Sequence, residues 1–197
     1  MKKIIFTLAT TLAALRLFGQ GTLLVDQQSF DLATSTTAIN IDGIGQSFTP
    51  MFSSIDYIQL GVSDSKAGSL LFVNLRQNSM TGPIIGTTDT QPITTIDAHL
   101  PTTFLFSSTV PLTPGVQYFL EPVIVVNALQ ISVVISPVGT DPYPGGTALH
   151  GTIPGSYDLW FAEGVVVPEP STWALFGLGG VVLFAAKWRR WTFRANS

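Results

Sequence analysis

The chain has 197 residues, of which 46% are hydrophobic and only 11% charged, with no cysteine. One domain plus targeting segments fits that length, and the missing thiols exclude disulfides, thiolate nucleophiles and Cys-based metal sites. Lys2, Lys3 and Arg16 lie at one end and Lys187, Arg189, Arg190 and Arg194 at the other, leaving Lys66 and Arg76 against twelve acids between Gly21 and Pro170, a formal −10. That balance excludes a nucleic-acid partner, whose phosphates require Lys and Arg, but allows calcium or a neutral polymer.

Met1 to about Gln20 is predicted to be a secretory signal peptide. Lys2 and Lys3 form its charged start, and Ile4 through Leu15 are apolar on all sides rather than on one face. Cleavage is expected near Gly19 to Gly21, although Leu17 or Phe18 then occupies a position that usually takes a small residue.

From residue 21 to 164 the pattern predicts an all-β domain. Ile55 and Tyr57, then Ile58, Leu60 and Val62, alternate with a slip of phase that suits a β-bulge, and Leu71, Val73 and Leu75 alternate with Phe72, Asn74 and Arg76. Further strands are expected at Gln46 to Pro50, Ile84 to Asp89, Thr102 to Leu112, Val116 to Val126, Leu129 to Ser136, Thr147 to Thr152 and Tyr157 to Val167. Nine short strands separated by Gly, Pro, Asn and Asp leave no room for a long helix, which points to an antiparallel β-sandwich of jelly-roll-like arrangement. Thr113-Pro114-Gly115 presets a turn, because Pro fixes φ and Gly accepts positive φ, and Tyr118 should open a buried strand after it. Together with Gly45-Gln46-Ser47-Phe48-Thr49-Pro50, Tyr143-Pro144-Gly145-Gly146 and Asp158-Leu159-Trp160-Phe161, that turn resembles the jelly-roll modules of secreted bacterial proteins, a broad class related to carbohydrate-binding modules.

Residues 165–197 form the last predicted segment. Val165-Val166-Val167-Pro168-Glu169-Pro170 precedes an apolar run from Ser171 to Ala186, and Lys187-Trp188-Arg189-Arg190-Trp191 follows it. Sixteen helical residues reach roughly 24 Å, short of the ~30 Å hydrocarbon core. Lys187 and Arg189 can snorkel, and Trp188 and Trp191 suit the interface, so a transmembrane helix over 171–186 is expected with its basic tail, 187–197, in the cytoplasm. The prolines keep the preceding peptide extended and accessible. These residues resemble the PEP-CTERM sorting signal of Gram-negative bacteria. The resemblance implies that exosortase, a transpeptidase-like membrane protease, recognises Pro168, Glu169 and Pro170, with Lys187, Arg189 and Arg190 as the basic stop. It also implies a transient anchor in the inner membrane, then a place at the cell surface or in extracellular polysaccharide.

Catalysis has few available parts. His99 and His150 are the only histidines, and no Gly-x-Ser-x-Gly elbow accompanies them. Asp141, Asp158 and Glu163 could supply the carboxylate pair of a glycosidase, but they read as solvated loop acids and turn caps. No catalytic residue and no cofactor is therefore expected; Asp42, Asp56 and Asp64 could offer oxygens to a structural calcium ion without any EF-hand-like spacing. The expectation is a non-catalytic surface or matrix protein associated with polysaccharide, the alternatives being a lectin-like carbohydrate-binding module and a glycan-active hydrolase. Tyr143, Tyr157 and Trp160 are the aromatic candidates for sugar contact, although Trp160, in an alternating apolar strand, reads as core.

Overall fold

Stretches in which Ile, Val, Leu and Phe alternate with Ser, Thr and Gln form strands, since branched and aromatic side chains pack well on a pleated, half-buried surface. The computed structural model describes residues 21–29, 31, 37–41, 43–64, 68–94, 100–126 and 131–168. Among them run β1 (Thr22–Gln28), β2 (Thr37–Asn40), β3 (Ile44–Phe48), β4 (Ser54–Asp64), β5 (Ser69–Gln77), β6 (Ile84–Thr87) and β7 (Gln91–Ile93). They continue with β8 (Pro101–Pro111), β9 (Tyr118–Val126), β10 (Ile131–Ile135), β11 (Ala148–His150), β12 (Ile153–Pro154) and β13 (Phe161–Val167). No helix occurs among the described residues. The predicted signal peptide and membrane helix lie outside them.

Two sheets result. One has the order β1-β13-β4-β10-β2 with β8 on the other side of β4, and the second has the order β12-β11-β3-β9-β5-β6 with β7 also pairing β5. Every pairing with a resolved register is antiparallel, as in Phe161↔Leu60 and Glu163↔Ile58 between β13 and β4 and Gln46↔Leu120 between β3 and β9. This is an antiparallel β-sandwich, consistent with a jelly-roll-like domain. Leu23–Val166 make one compact unit, and the remaining residues are grouped as another.

The phase slip in β4 falls where its pairing with β8 changes register: Ile55 pairs Val110 and Tyr57 pairs Leu105, so the extra residues lie in β8, and Ile55 and Ile58 both reach the core. The Thr113-Pro114-Gly115 turn forms as its sequence dictates. Gly115 sits at φ 79°, the Val116 amide donates to the Thr113 carbonyl at 3.1 Å, and Tyr118 opens β9 fully buried. Its hydroxyl then accepts from the Thr113 amide at 2.9 Å, tying the turn to the strand it starts.

Between the sheets lie Ile58, Leu60, Val62, Phe104, Val133 and Phe161 from the first and Phe48, Leu71, Val73, Leu75, Tyr118 and Leu120 from the second. Phe48 joins the layers, with ring centroids 6.1 Å from both Tyr118 and Phe161. Each such ring withdraws enough apolar surface to contribute on the order of 1.5–3 kcal/mol. β1, β2, β7 and β12 are additions to the predicted set. Leu23, Leu24 and Val25 of β1 are all exposed, so this edge strand lacks the in-and-out alternation that reveals a strand.

Candidate functional site

The C-terminal part of the sandwich brings together the singled-out aromatics and acids and also launches the tail. β13 carries Phe161 and Glu163 on one face, because side chains two apart on a strand point the same way. Its outer partner is β1. Gly164 has no room for a side chain, since a Cβ there would run into the Leu24 carbonyl and stand 3.0 Å from the Asp26 amide nitrogen. Near the strand's end the Val166 amide donates to Asp56 Oδ2 at 2.9 Å, after which Val167 and Pro168 are exposed.

Two buried carboxylates stand close in the chain but in different circumstances. Asp158, 1% exposed, accepts from Gln46 Nε2 at 3.0 Å on one oxygen and from the Tyr143 amide at 3.2 Å on the other. Gln46 Oε1 in turn accepts from the Leu159 amide at 2.8 Å, so β3 of the second sheet is clasped to the strand approach of the first. Burial pushes the Asp158 carboxyl above its ordinary range, against the lowering effect of its bond from Gln46, and the neighbouring Asp141 adds to the rise. Glu163 is 0% exposed, its carboxyl hydrogen-bonded to that of Asp26 and to no other described group. Burial first, and then the Asp26 carboxylate, push its pKa up to about 9. Tyr57 Oη is buried without a partner; burial and the nearby Glu163 push it to about 12.

The three aromatics do not form a platform. Tyr143 is 6% exposed, its ring set edge-on to Phe161 at 5.1 Å, while its hydroxyl accepts from the Thr49 amide and donates to Gln27 Oε1 at 3.3 Å. Trp160 is 4% exposed and packs with Val134 and Ala162. Neither offers a ring face to solvent. Tyr157 is half-buried and lines a cleft of about 210 Å³ with Thr140, Asp141, Thr147, Ser156 and Asp158.

Residues 166–190 match the family model of the PEP-CTERM protein-sorting motif. The chain carries a PEP-CTERM sorting motif. Neither the curated proteins nor the solved structures contain a match to this chain. The PEP-CTERM motif indicates an exported protein targeted to exosortase and to the cell surface. Its first residues, Val166 and Val167, are the last of β13, so the motif leaves the sandwich directly from a paired strand. Pro168 is described and exposed; Glu169, Pro170, Lys187, Arg189 and Arg190 lie outside the described residues, as does the span expected at 171–186.

Other sequence expectations meet the structure differently. The reading of Asp141, Asp158 and Glu163 as solvated loop acids holds for Asp141 alone, because Asp158 is buried in the clasp and Glu163 faces inward on β13. Of the three aspartates considered for calcium, Asp42 lies outside the described residues. Asp56 accepts from Thr109 Oγ1 at 2.6 Å and from the Val166 amide, and Asp64 from the Ser69 amide at 2.9 Å. Asp56 thereby ties β8 and β13 to β4, and Asp64 ties the end of β4 to the start of β5. His99 is outside the described residues and His150 is exposed on β11. Among the described residues no three His, Cys, Asp or Glu side chains gather as a metal-ligand set, and no helix is long and apolar enough to cross a membrane.

Proposed function

We propose that the chain is a non-catalytic display protein: exosortase cuts it near Pro168-Glu169-Pro170, and the freed β-sandwich associates with extracellular polysaccharide at the surface. The observation that carries this reading is the sorting motif matched at 166–190, beginning where β13 ends. Exit from a paired strand through exposed Val167 and Pro168 gives a protease an extended peptide, and the first proline ends any further pairing because it lacks an amide donor. The non-catalytic role is supported by the acids themselves. Asp158 is committed to two hydrogen bonds, Glu163 is shut away from solvent, and Asp141 alone of the three is exposed.

Intact-mass analysis of the mature protein, recovered from an exosortase-competent host, tests the processing. The expected mass lacks the residues beyond the motif. A mature chain that keeps them overturns the reading.

The cleft beside Tyr157 favours a second reading, a glycan-binding module. One aromatic wall, the Asp141 carboxylate and the hydroxyls of Thr140, Thr147 and Ser156 around roughly the volume of one sugar ring are the elements such recognition uses. A glycan array run with the wild type and Tyr157→Ala separates the two: a hit lost in the variant selects binding, and no hit selects display.

A further inference from the structure

One end of the sandwich gathers apolar side chains that the rest of the described fold leaves exposed. β13 runs against β4, so its last residues meet the start of that strand. β3 runs towards the same end, where Phe48 pairs with Tyr118 at the start of β9. The turn from β3 to β4 and the turn from β8 to β9 therefore lie together there, joined by bonds from the Gly115 amide to the Pro50 carbonyl at 2.9 Å and from the Leu112 amide to the Ser53 carbonyl at 2.8 Å. β1 arrives alongside. The Ser29 amide donates to the Phe161 carbonyl and the Leu24 carbonyl packs on Gly164, so Leu23 and Leu24 lie beside the end of β13. Asp26 Oδ2 accepts from the Met51 and Phe52 amides, both at 2.8 Å, which brings the β3–β4 turn against the same strand. Leu23, Leu24, Val25, Met51 and Val116 are all exposed at this end, Met51 by 75%. No Lys or Arg stands on β1, on the end of β13 or on either turn.

Single exposed apolar residues are ordinary, but a group of them on one surface marks an interaction. The chain beyond β13 says what meets this surface. Five peptide links separate Val166 from Ser171, where the apolar run 171–186 begins; at no more than ~3.6 Å per residue, the start of that run lies within about 18 Å of the strand.

We propose that, before processing, this end of the sandwich rests on the lipid bilayer, with Leu23, Leu24, Val25 and Met51 entering its interface. The docking rests on the reading of 171–186 as a membrane span. A bilayer tethered that closely faces the end of the domain from which the tail departs, and that is the end with the apolar side chains. The contact is apolar rather than electrostatic, because the residues from Gly21 to Pro170 carry a formal −10 and this end offers no cation to anionic headgroups. Asp26, the one acid of β1, is turned to the Met51 and Phe52 amides. Resting there holds Val166, the first residue of the sorting motif, at headgroup level, within reach of a membrane protease.

The chain has no cysteine, so single labels can be placed where the test needs them. The full chain carrying an environment-sensitive fluorophore through Met51→Cys is compared with the chain labelled through Ile153→Cys, each reconstituted into phosphatidylcholine vesicles and floated on a density gradient. Ile153 is 70% exposed on β12, which pairs with β11 where His150 meets Ile44, at the far end of β3 from Phe48. The Met51 label should sit ~5–10 Å into the headgroup–acyl boundary, shift its emission to the blue and be quenched by brominated lipid chains at least about twofold more than the Ile153 label. Salt should leave that difference unchanged. Leu23→Ser combined with Leu24→Ser, at exposed positions of an edge strand, should cut the quenching about twofold. In a chain that floats, equal quenching of the two labels, or undiminished quenching in the folded serine variant, overturns the docking and leaves the span standing. A blue shift without lipid quenching means that a second copy or another protein covers the patch, and overturns the bilayer as its occupant. A chain that does not float overturns the span, and the docking with it.

Discussion

Asp158 and Glu163 sit five residues apart in the same end of the sandwich, both removed from solvent, and the fold treats them oppositely. Around Asp158 every oxygen is answered, by Gln46 from the other sheet and by the Tyr143 backbone. Around Glu163 the one partner is another acid, Asp26. A buried polar group that is fully paired fixes one arrangement of its neighbours, whereas two acids facing each other in the interior carry a standing desolvation cost and cannot both ionise cheaply. The first region is thus architecture. The second is a place where the molecule gives up stability as pH rises.

Breaking the paired region should have the largest effect. Asp158→Ala removes an acceptor from Gln46 Nε2, which keeps its bond to the Ser47 carbonyl, and leaves the buried Tyr143 amide without a partner. At 1–3 kcal/mol for a stranded group plus the lost bond from Gln46, a loss of about 2–3 kcal/mol is expected, read as a lower midpoint in urea with an unchanged slope. Asp158→Asn keeps one acceptor and should cost less. A loss within about 0.5 kcal/mol for the alanine variant would mean that the clasp is ornamental.

The region with the two facing acids should show itself through pH. Glu163 has an ordinary pKa of 4.5 in the open chain and about 9 in the fold. Between those values the folded state holds a proton that the unfolded state has released, so stability is full below about 4.5 and declines as pH rises towards 9. The slope can reach about 1.4 kcal/mol per pH unit. Glu163→Gln should flatten the profile and leave the variant more stable than the wild type at pH 8, within the same window. Parallel profiles for the two proteins would place the ionisation elsewhere.

Much of this architecture could be read in advance, for identifiable reasons. The slip between Ile55-x-Tyr57 and Ile58-x-Leu60 announced the irregular pairing of β4 with β8, because a change of register leaves a change of phase in the sequence. Thr113-Pro114-Gly115 announced its turn through two residues with restricted or unusual φ. The PEP-CTERM motif was legible because its order of prolines, apolar run and cations is local. β1 was not legible: its apolar side chains lie exposed at an edge and follow no period. Glu163 did carry a signal, the inward phase it shares with Phe161, but residue type spoke for solvent and won. Its partner Asp26 comes from the opposite end of the domain, and only the pairing of β1 with β13 joins them.

The smallest predicted effect is also the finest discriminator between the two regions. Tyr57 Oη is buried with no partner, so Tyr57→Phe removes a hydroxyl that contributes desolvation cost and no hydrogen bond. The ring itself, fully buried, stays. The variant should be neutral or more stable by up to about 1 kcal/mol, the opposite of the loss that deleting a paired buried hydroxyl brings. Tyr118→Phe supplies that contrast within the same molecule, since its hydroxyl accepts from the Thr113 amide, and a loss of about 1 kcal/mol is expected there. Equal losses in the two variants, by urea titration, would show that Tyr57 has a hydrogen-bond partner in solution and would join the Glu163 surroundings to the ordinary, fully paired interior.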